Sequence, residues 1–257
     1  MSKWFIRTAR WPCGSCWHRA EGRERICLYH QSKPGRFLRA TPISHIPVGS
    51  DVIYSCLAFI LLGKILEKAY GKPLDVLLDE LVCKPLCLNS TCFCPQSKTN
   101  IVNSNLDETQ LGIVNDFNCQ HLGGVAGNAG VFSNINDITD YVTMLIKKGY
   151  PIISKNTFEK ATRNYTAKMA ESRGLGYLYV DERYPQTGNL FPVGSIGHCG
   201  HTGQSVFVDL KSGLYVIILS DATISIEKKY GRSKYEEVMQ MRTDIHNAIK
   251  KDFETSI

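Results

Sequence analysis

An α/β protein of the α+β kind, with helices packed beside antiparallel strands, is what this 257-residue sequence predicts. Three observations carry the expectation. Residues 50–71 repeat apolar side chains at helical spacing, and residues 206–219 read as two strands around a tight turn. Residues 235–253 then close the chain as an amphipathic helix. With 43% apolar and 21% charged residues, the composition is that of an ordinary soluble globular protein. The chain is long enough to bury a substantial core.

The first element, "GSDVIYSCLAFILLGKILEKAYGKPLD", has Ser50 or Asp51 as a candidate N-cap and Gly71 with Pro73 as a stop. Leu57, Ile60, Leu61, Ile65 and Leu66 form its expected apolar face, opposite Lys64, Glu67 and Lys68. The apolar run from Val52 to Gly63 is too short to span a bilayer and is broken by Tyr54 and Ser55. No transmembrane segment is expected.

A short helix over about Leu74 to Cys83 should end before Pro85, and residues 95–121 read as a polar, Asn-rich excursion. Gly124, Gly127 and Gly130 form a glycine-rich turn with no apolar strand before it and no Gly-Lys-Ser/Thr after it. Tight backbone packing is therefore the expected role, ahead of phosphate binding. A helix capped near Ser133 follows, then another over about Lys155 to Met169. "RGLGYLYV" opens the strand-rich end, where Val206–Leu210 and Leu214–Leu219 flank a Lys211-Ser212-Gly213 turn.

Charge divides the chain. Residues 1–40 hold nine Lys or Arg against Glu21 and Glu24, a balance of +7, so the other 217 residues sum to −1 of the total +6. All three tryptophans (Trp4, Trp11, Trp17) and seven of the twelve arginines lie there too. Residues 1–40 are thus expected to be a basic segment of separate origin, with residues 41–257 as the body. Nucleic-acid binding would fit the charge, but charge alone carries little specificity, and no nucleic acid is the expected partner. The first residues lack the apolar core of a secretory signal, which implies a cytoplasmic chain as written.

Ten cysteines are many for an intracellular chain but too few for a disulfide scaffold, so reduced thiols are expected. Cys13, Cys16, Cys27 and His30 have the ligand types and paired spacing of a small zinc site. Their segment is foreign to the body in composition, and neither a stoichiometric metal nor any cofactor is expected. Cys83, Cys87, Cys92 and Cys94 read as small apolar residues in and after a helix.

Four ordered blocks within residues 47–250 resemble the serine β-lactamase-related family: class C β-lactamases, low-molecular-weight penicillin-binding proteins and their esterase relatives. The blocks are "PVGSDVIYSCLAFILLGKILEKAYGKPL", "LVCKPLCLNSTCF", "GIVNDFNCQHLGGVAGNAGVFSNINDITDYVTML" and "GHCGHTGQSVFVDLKSGLYVIILSD". The resemblance implies an antiparallel sheet flanked by helices, plus a helical subdomain, missing the family's N-terminal helix and strands. Strand Leu214–Leu219 would then have a bare edge unless "ERICLYH", Glu24 to His30, replaces what is missing.

The family's chemistry needs a Ser-x-x-Lys whose serine is acylated, a Tyr-x-Asn loop whose tyrosine relays the proton, and a Lys/His-Thr-Gly strand opposite. Tyr54-Ser55-Cys56 matches the second element, with Cys56 in place of Asn. His198-Cys199-Gly200 matches the third, with Cys199 in place of Thr, and the N–H of His201 follows as an oxyanion donor. The resemblance thus implies Tyr54 and His198 as catalytic residues facing each other, with Cys56, Cys199, Gly200 and His201 lining the substrate site.

The first element is absent upstream, where only 53 residues precede Tyr54; the one Ser-x-x-Lys, Ser225 to Lys228, lies after the last strand. The expected function is therefore that of a serine hydrolase lineage acting on peptidoglycan-like peptides, β-lactams or small esters, in a member that is itself inactive. The alternatives are a non-catalytic protein keeping the cleft for a peptide or acyl ligand, or a basic N-terminal module recruiting a partner.

Overall fold

Helix α1 (Cys56–Tyr70) starts where Ser55 accepts a hydrogen bond from Ala58 N and stops at Gly71, which adopts the left-handed conformation with φ 67°. This computed structural model describes residues 5–6, 28–29, 47, 49–182, 187–188, 190–231 and 235–255. The cap of α1 thus lies five residues after Ser50. Asp51 uses its carboxylate in the preceding loop, accepting from Val52 N.

The buried face of α1 also differs from the expected one. Ile60 and Gly63 are buried, whereas Leu61, Leu62, Ile65 and Leu66 are exposed. The reason is a close backbone approach. A Cβ on Gly63 would stand 3.2 Å from Gly127 N, and a Cβ on Gly127 would stand 2.1 Å from the carbonyl oxygen of Phe59. Only glycines permit that contact, so the glycine stripe faces inward and the leucine stripe outward. Ile60 then packs with Cys119 and Ala126 in a small core of the helical lobe. Lys64 and Glu67, expected on the solvent face, are half-buried and paired at 2.6 Å. Glu67 also accepts from Leu74 N, joining α1 to the next helix.

That next helix, α2 (Leu74–Leu78), does not end before Pro85. It widens into a π turn over Asp79–Cys83 and continues as α3 (Lys84–Leu86), ending at Cys87 with φ 56°. A proline ring clashes with the carbonyl four residues earlier in a regular helix, and the wider turn relieves the clash. Short helix α4 (Phe117–His121) is capped by Asp116.

Helix α5 (Ile135–Ile146) is capped by Asn134, one residue after Ser133. The Ser133 hydroxyl is bonded to that of Thr91. Helix α6 (Lys155–Thr162) stops well short of Met169. The Asn164 side chain accepts from Thr166 N, a local turn that competes with helix and releases residues 163–177 as a loop.

The pairs β1 (Phe5–Ile6) with β2 (Leu28–Tyr29), and β3 (Cys92–Phe93) with β4 (Val131–Phe132), are two-stranded. The main sheet is antiparallel, in the order β5 (Leu178–Tyr179), β6 (Ile196–Cys199), β7 (Ser205–Val208), β8 (Tyr215–Ile218). Among the described residues β8 is its last strand. Leu28 and Tyr29 do not extend it; they pair with Ile6 and Phe5 in a separate two-stranded sheet.

The β7–β8 hairpin turns where expected. Asp209 accepts from Lys211 N and from the N–H and hydroxyl of Ser212, and Gly213 takes φ 78°. The pleat sends alternate residues to opposite faces. Ile196 and Val208 pack under α5 and α6 with Val142, Leu145 and Phe158. Phe207 and Val216 face the other way, with Leu178, Phe191 and Phe253. Phe253 belongs to α8 (Tyr235–Thr255), which covers that second face. The helix before it, α7 (Ala222–Tyr230), has no counterpart in the sequence reading. No helix among the described residues is long and apolar enough to cross a membrane.

His246 of α8 is buried between the rings of Phe191 and Phe207, and its pKa is pushed down from 6.5 to about 4, first by burial and then by the Arg242 charge. The unfolded chain therefore binds a proton that the fold excludes. This contribution to stability is complete above about pH 6.5 and is lost as pH falls toward 4. We expect a loss on the order of 3 kcal/mol across that window. His246→Gln should flatten the acid limb of urea midpoint against pH; an unchanged limb would contradict a neutral buried imidazole. For the lobe contact, Gly127→Ala should cost about 1–3 kcal/mol by overpacking against Phe59, read as a lower urea midpoint. An unchanged midpoint would show that α1 is not seated there.

Candidate active site

Tyr54 ends the extended segment that leads into α1, and two side chains fix that segment. Ser55 caps the helix, and Asp51 reaches across to accept from Ala170 N at 3.2 Å. The second bond ties the Tyr54 loop to the loop over residues 163–177. Opposite stands β6. Ile196 and His198 share one face of that strand, so His198 points toward the helical lobe. The rings of Tyr54 and His198 lie with centroids 6.4 Å apart and planes inclined by 32°. The two residues that the sequence singled out, 144 positions apart, are brought together.

Between them comes a residue that the sequence reading missed. Arg173 donates from Nη1 to His198 Nε2 at 3.2 Å, and its Cζ stands 5.5 Å from the centroid of the Tyr54 ring. Its Nε and Nη2 both donate to Oε2 of Glu171, at 2.8 and 2.6 Å. The Thr166 hydroxyl locks this loop, donating to the Glu171 carbonyl at 2.5 Å and accepting from Arg173 N at 2.7 Å. Nothing in "ESRGLGY" flags the pair, because an Arg two residues after a Glu in a loop has no periodicity or motif to mark it.

These contacts fix the imidazole's protons. A guanidinium can only donate, so His198 Nε2 must accept. Its Nδ1 lies 2.9 Å from the carbonyl oxygen of Cys199, which can only accept, so Nδ1 carries the hydrogen. His198 is therefore a neutral imidazole whose basic nitrogen is occupied by a cation. Burial pushes its pKa below 6.5; the Cys199 carbonyl and Glu171 oppose this, and the Arg173 charge adds to it.

The other residues expected at the site are dispersed. Cys199, next after His198, points to the opposite face of the sheet and packs in the core that contains Phe207, Val216 and Phe253. Its thiol is pushed up to about 11 by burial. Pleating alone puts it there, since neighbouring strand residues cannot share a face. Gly200 spends its N–H on Gln204 O at 2.8 Å in the β6–β7 turn. The ring of His201 stacks on Tyr235, 5.8 Å away. Cys56 is the first residue of α1 and is half-buried, but does not line the cavity beside Tyr54.

That cavity has a volume of about 160 Å³, and its walls include Ile53, Tyr54, Ala58, Phe59 and Arg173. A larger cavity of about 240 Å³, around residues 112–114 and 123–124, has only the Cys94 thiol as an ionisable lining group. Tyr54 and Arg173 line the smaller one.

The single Ser-x-x-Lys is elsewhere and otherwise engaged. Ser225 donates to Asp221 at 2.9 Å, Lys228 is paired with Glu108 at 2.6 Å, and neither lines the Tyr54 cavity. Among the described residues, no group of three or more His, Cys, Asp or Glu could hold a metal ion. Cys13, Cys16, Cys27 and His30 lie outside the described residues.

A helix-start tyrosine faces a strand histidine on an antiparallel sheet backed by helices. The beta-lactamase family model matches residues 21–236, beginning inside the basic segment, and the chain belongs to that family of serine hydrolases. A protein of Escherichia coli O157:H7 named "Putative D-alanyl-D-alanine carboxypeptidase" is 30% identical over 220 residues, 76% of this chain and 50% of that protein. The chain thus spans about half the length of the curated relatives it matches. A beta-lactamase from Mycobacterium bovis superposes with TM-score 0.59 at 18% identity, over 80% of this chain and 65% of that one. A simvastatin synthase mutant from Aspergillus terreus gives 0.58 at 18% identity, over 80% and 56%. At such identity the two structures speak for the fold alone.

The proton arrangement is directly measurable. Imidazole ¹⁵N spectra should show His198 neutral and protonated on Nδ1 at pH 7, titrating with a midpoint below 6.5. A midpoint at or above that value would mean that Arg173 does not hold Nε2.

Proposed function

We propose that this chain is a ligand-binding member of the beta-lactamase family that keeps the cleft for a peptide or acyl ligand and, within these 257 residues, does not form an acyl-enzyme. One observation carries the reading: Tyr54 and His198 face each other at 6.4 Å, while the single Ser-x-x-Lys lies on α7 with its serine and lysine bonded elsewhere. A hydroxyl attacks a carbonyl only when a neighbouring base takes its proton. Here His198 has its lone pair on a guanidinium, and no serine lines the cavity except Ser55, whose Oγ caps α1.

The carboxypeptidase name of the relatives supports a peptide as the ligand. The cavity's apolar walls support an acyl or small side-chain group within it. Recognition without turnover is the function that these features favour.

Incubation with a fluorescent penicillin and with p-nitrophenyl acetate should leave no covalent adduct and no hydrolysis above buffer, since loss of a covalent nucleophile removes many orders of magnitude of rate. A stoichiometric adduct on any serine, Ser55 and Ser225 included, would overturn the proposal.

A further inference from the structure

Arg242 of α8 is 0% exposed, the largest side chain that the described residues enclose completely. Of its five N–H groups, one on Nη1 donates to Gln204 O at 3.3 Å, and one on Nη2 meets the Met239 sulfur, a weak acceptor, at 3.1 Å. Nε is buried with no partner among the described residues. A guanidinium does not shed its proton, so burial cannot neutralise it as it neutralises a histidine or a carboxyl. A charge enclosed in this way is costly without an anion beside it.

The chain's nearby carboxylates do not serve. On α8 itself, Glu236, Glu237, Asp244, Asp252 and Glu254 are all exposed, whereas Arg242 and His246 are buried. Residues 232–234 and 256–257, which flank the helix, contain no acidic side chain. Burial is the main cause acting on the pKa values of Cys199, His201 and His246, and the Arg242 charge lowers all three, so these groups lie within its field. The Asp116 carboxylate also acts on His201, but it accepts from Cys119 N and Asn128 Nδ2 in the cap of α4. The surroundings of Arg242 are thus imidazoles, a thiol and a carbonyl.

We propose that Arg242 holds a small inorganic anion, chloride by size and charge, between α8 and β7. Enclosure sets the class of ligand, because a site with no exposed face suits a monatomic ion and not the carboxylate of a larger molecule. His246 is the second donor. It lies one turn along the same helix, where residues four apart are neighbours, and its buried Nδ1 has no partner among the described residues. Its Nε2 stands 3.4 Å from Ser205 Oγ, and a hydroxyl that donates there leaves the ring hydrogen on Nδ1, toward the anion.

The site belongs to the face of the sheet turned away from Tyr54. Ser205 pairs with Cys199, whose side chain packs on the side covered by α8. The anion therefore fastens α8 to the sheet and is independent of the cleft. It adds a ligand of a different class to the one proposed for Tyr54 and His198.

The test compares sodium chloride with sodium gluconate, whose anion is too large to enter, at equal ionic strength on the full chain. The urea midpoint should be higher in chloride and rise with its concentration as single-site binding requires, by about 1 M once chloride exceeds its Kd a hundredfold. Chloride should also shift the imidazole ¹⁵N resonances of His246 and leave those of His198 in place. Arg242→Met, similar in length and without charge, should fold and lose both responses. If that variant does not fold, ³⁵Cl line broadening by the wild-type chain, reversed by bromide and weakened in His246→Gln, tests the same site. Equal midpoints in the two salts with His246 unmoved, or a chloride response that survives in Arg242→Met, would overturn the proposal. So would chloride broadening that bromide does not reverse.

Discussion

The contact on which this structure depends is the backbone approach of α1 to the glycine-rich turn at Gly127. With Gly63 facing Gly127 and the Phe59 carbonyl against the same turn, the helix can settle in only one rotation about its axis. That rotation buries Ile60 in the lobe core and leaves Leu61, Leu62, Ile65 and Leu66 outside. It also fixes the start of the helix, and so the place of Tyr54. Apolar area would have favoured the opposite rotation, but a steric requirement prevails because overlap rises much faster with distance than transfer free energy does.

A second constraint, the pleat of β6, divides the matching segments of the strand. His198 goes to the lobe side and Cys199 to the side covered by α8. A sequence motif of consecutive residues is therefore not a cluster in space. What completes the cluster on the lobe side is Arg173, from a loop held by Thr166 and tied to the Tyr54 segment through Asp51. The resting cleft is a chain of contacts, Glu171 to Arg173 to His198, with the tyrosine ring beside the cation. Each donor and acceptor in that chain has one possible role, which gives the imidazole a definite tautomer.

Membership of the beta-lactamase family and the cleft's electrostatic state describe different things. The family supplies the sheet and the helices beside it. The particular contacts of this chain decide that the histidine is neutral and that its lone pair is already used. A histidine held in this way is a poor resting base.

Much of this was legible in the residues themselves. Alternating apolar positions around Lys211-Ser212-Gly213 determined the hairpin, because strand periodicity and turn chemistry are local. Gly71 determined the end of α1 for the same reason. The resemblance of the four blocks to the serine β-lactamase-related family singled out Tyr54 and His198, and the structure sets them face to face. Tertiary structure alone decided which face of α1 is buried, since the deciding atom, Gly127 N, lies 64 positions from Gly63. It also decided that the helix ending near Met169 stops at Thr162, and that the loop so released carries Arg173 to His198. Periodicity registers which side chains prefer burial. It does not register which backbone comes close enough to forbid one, or which charge a loop delivers to a distant strand.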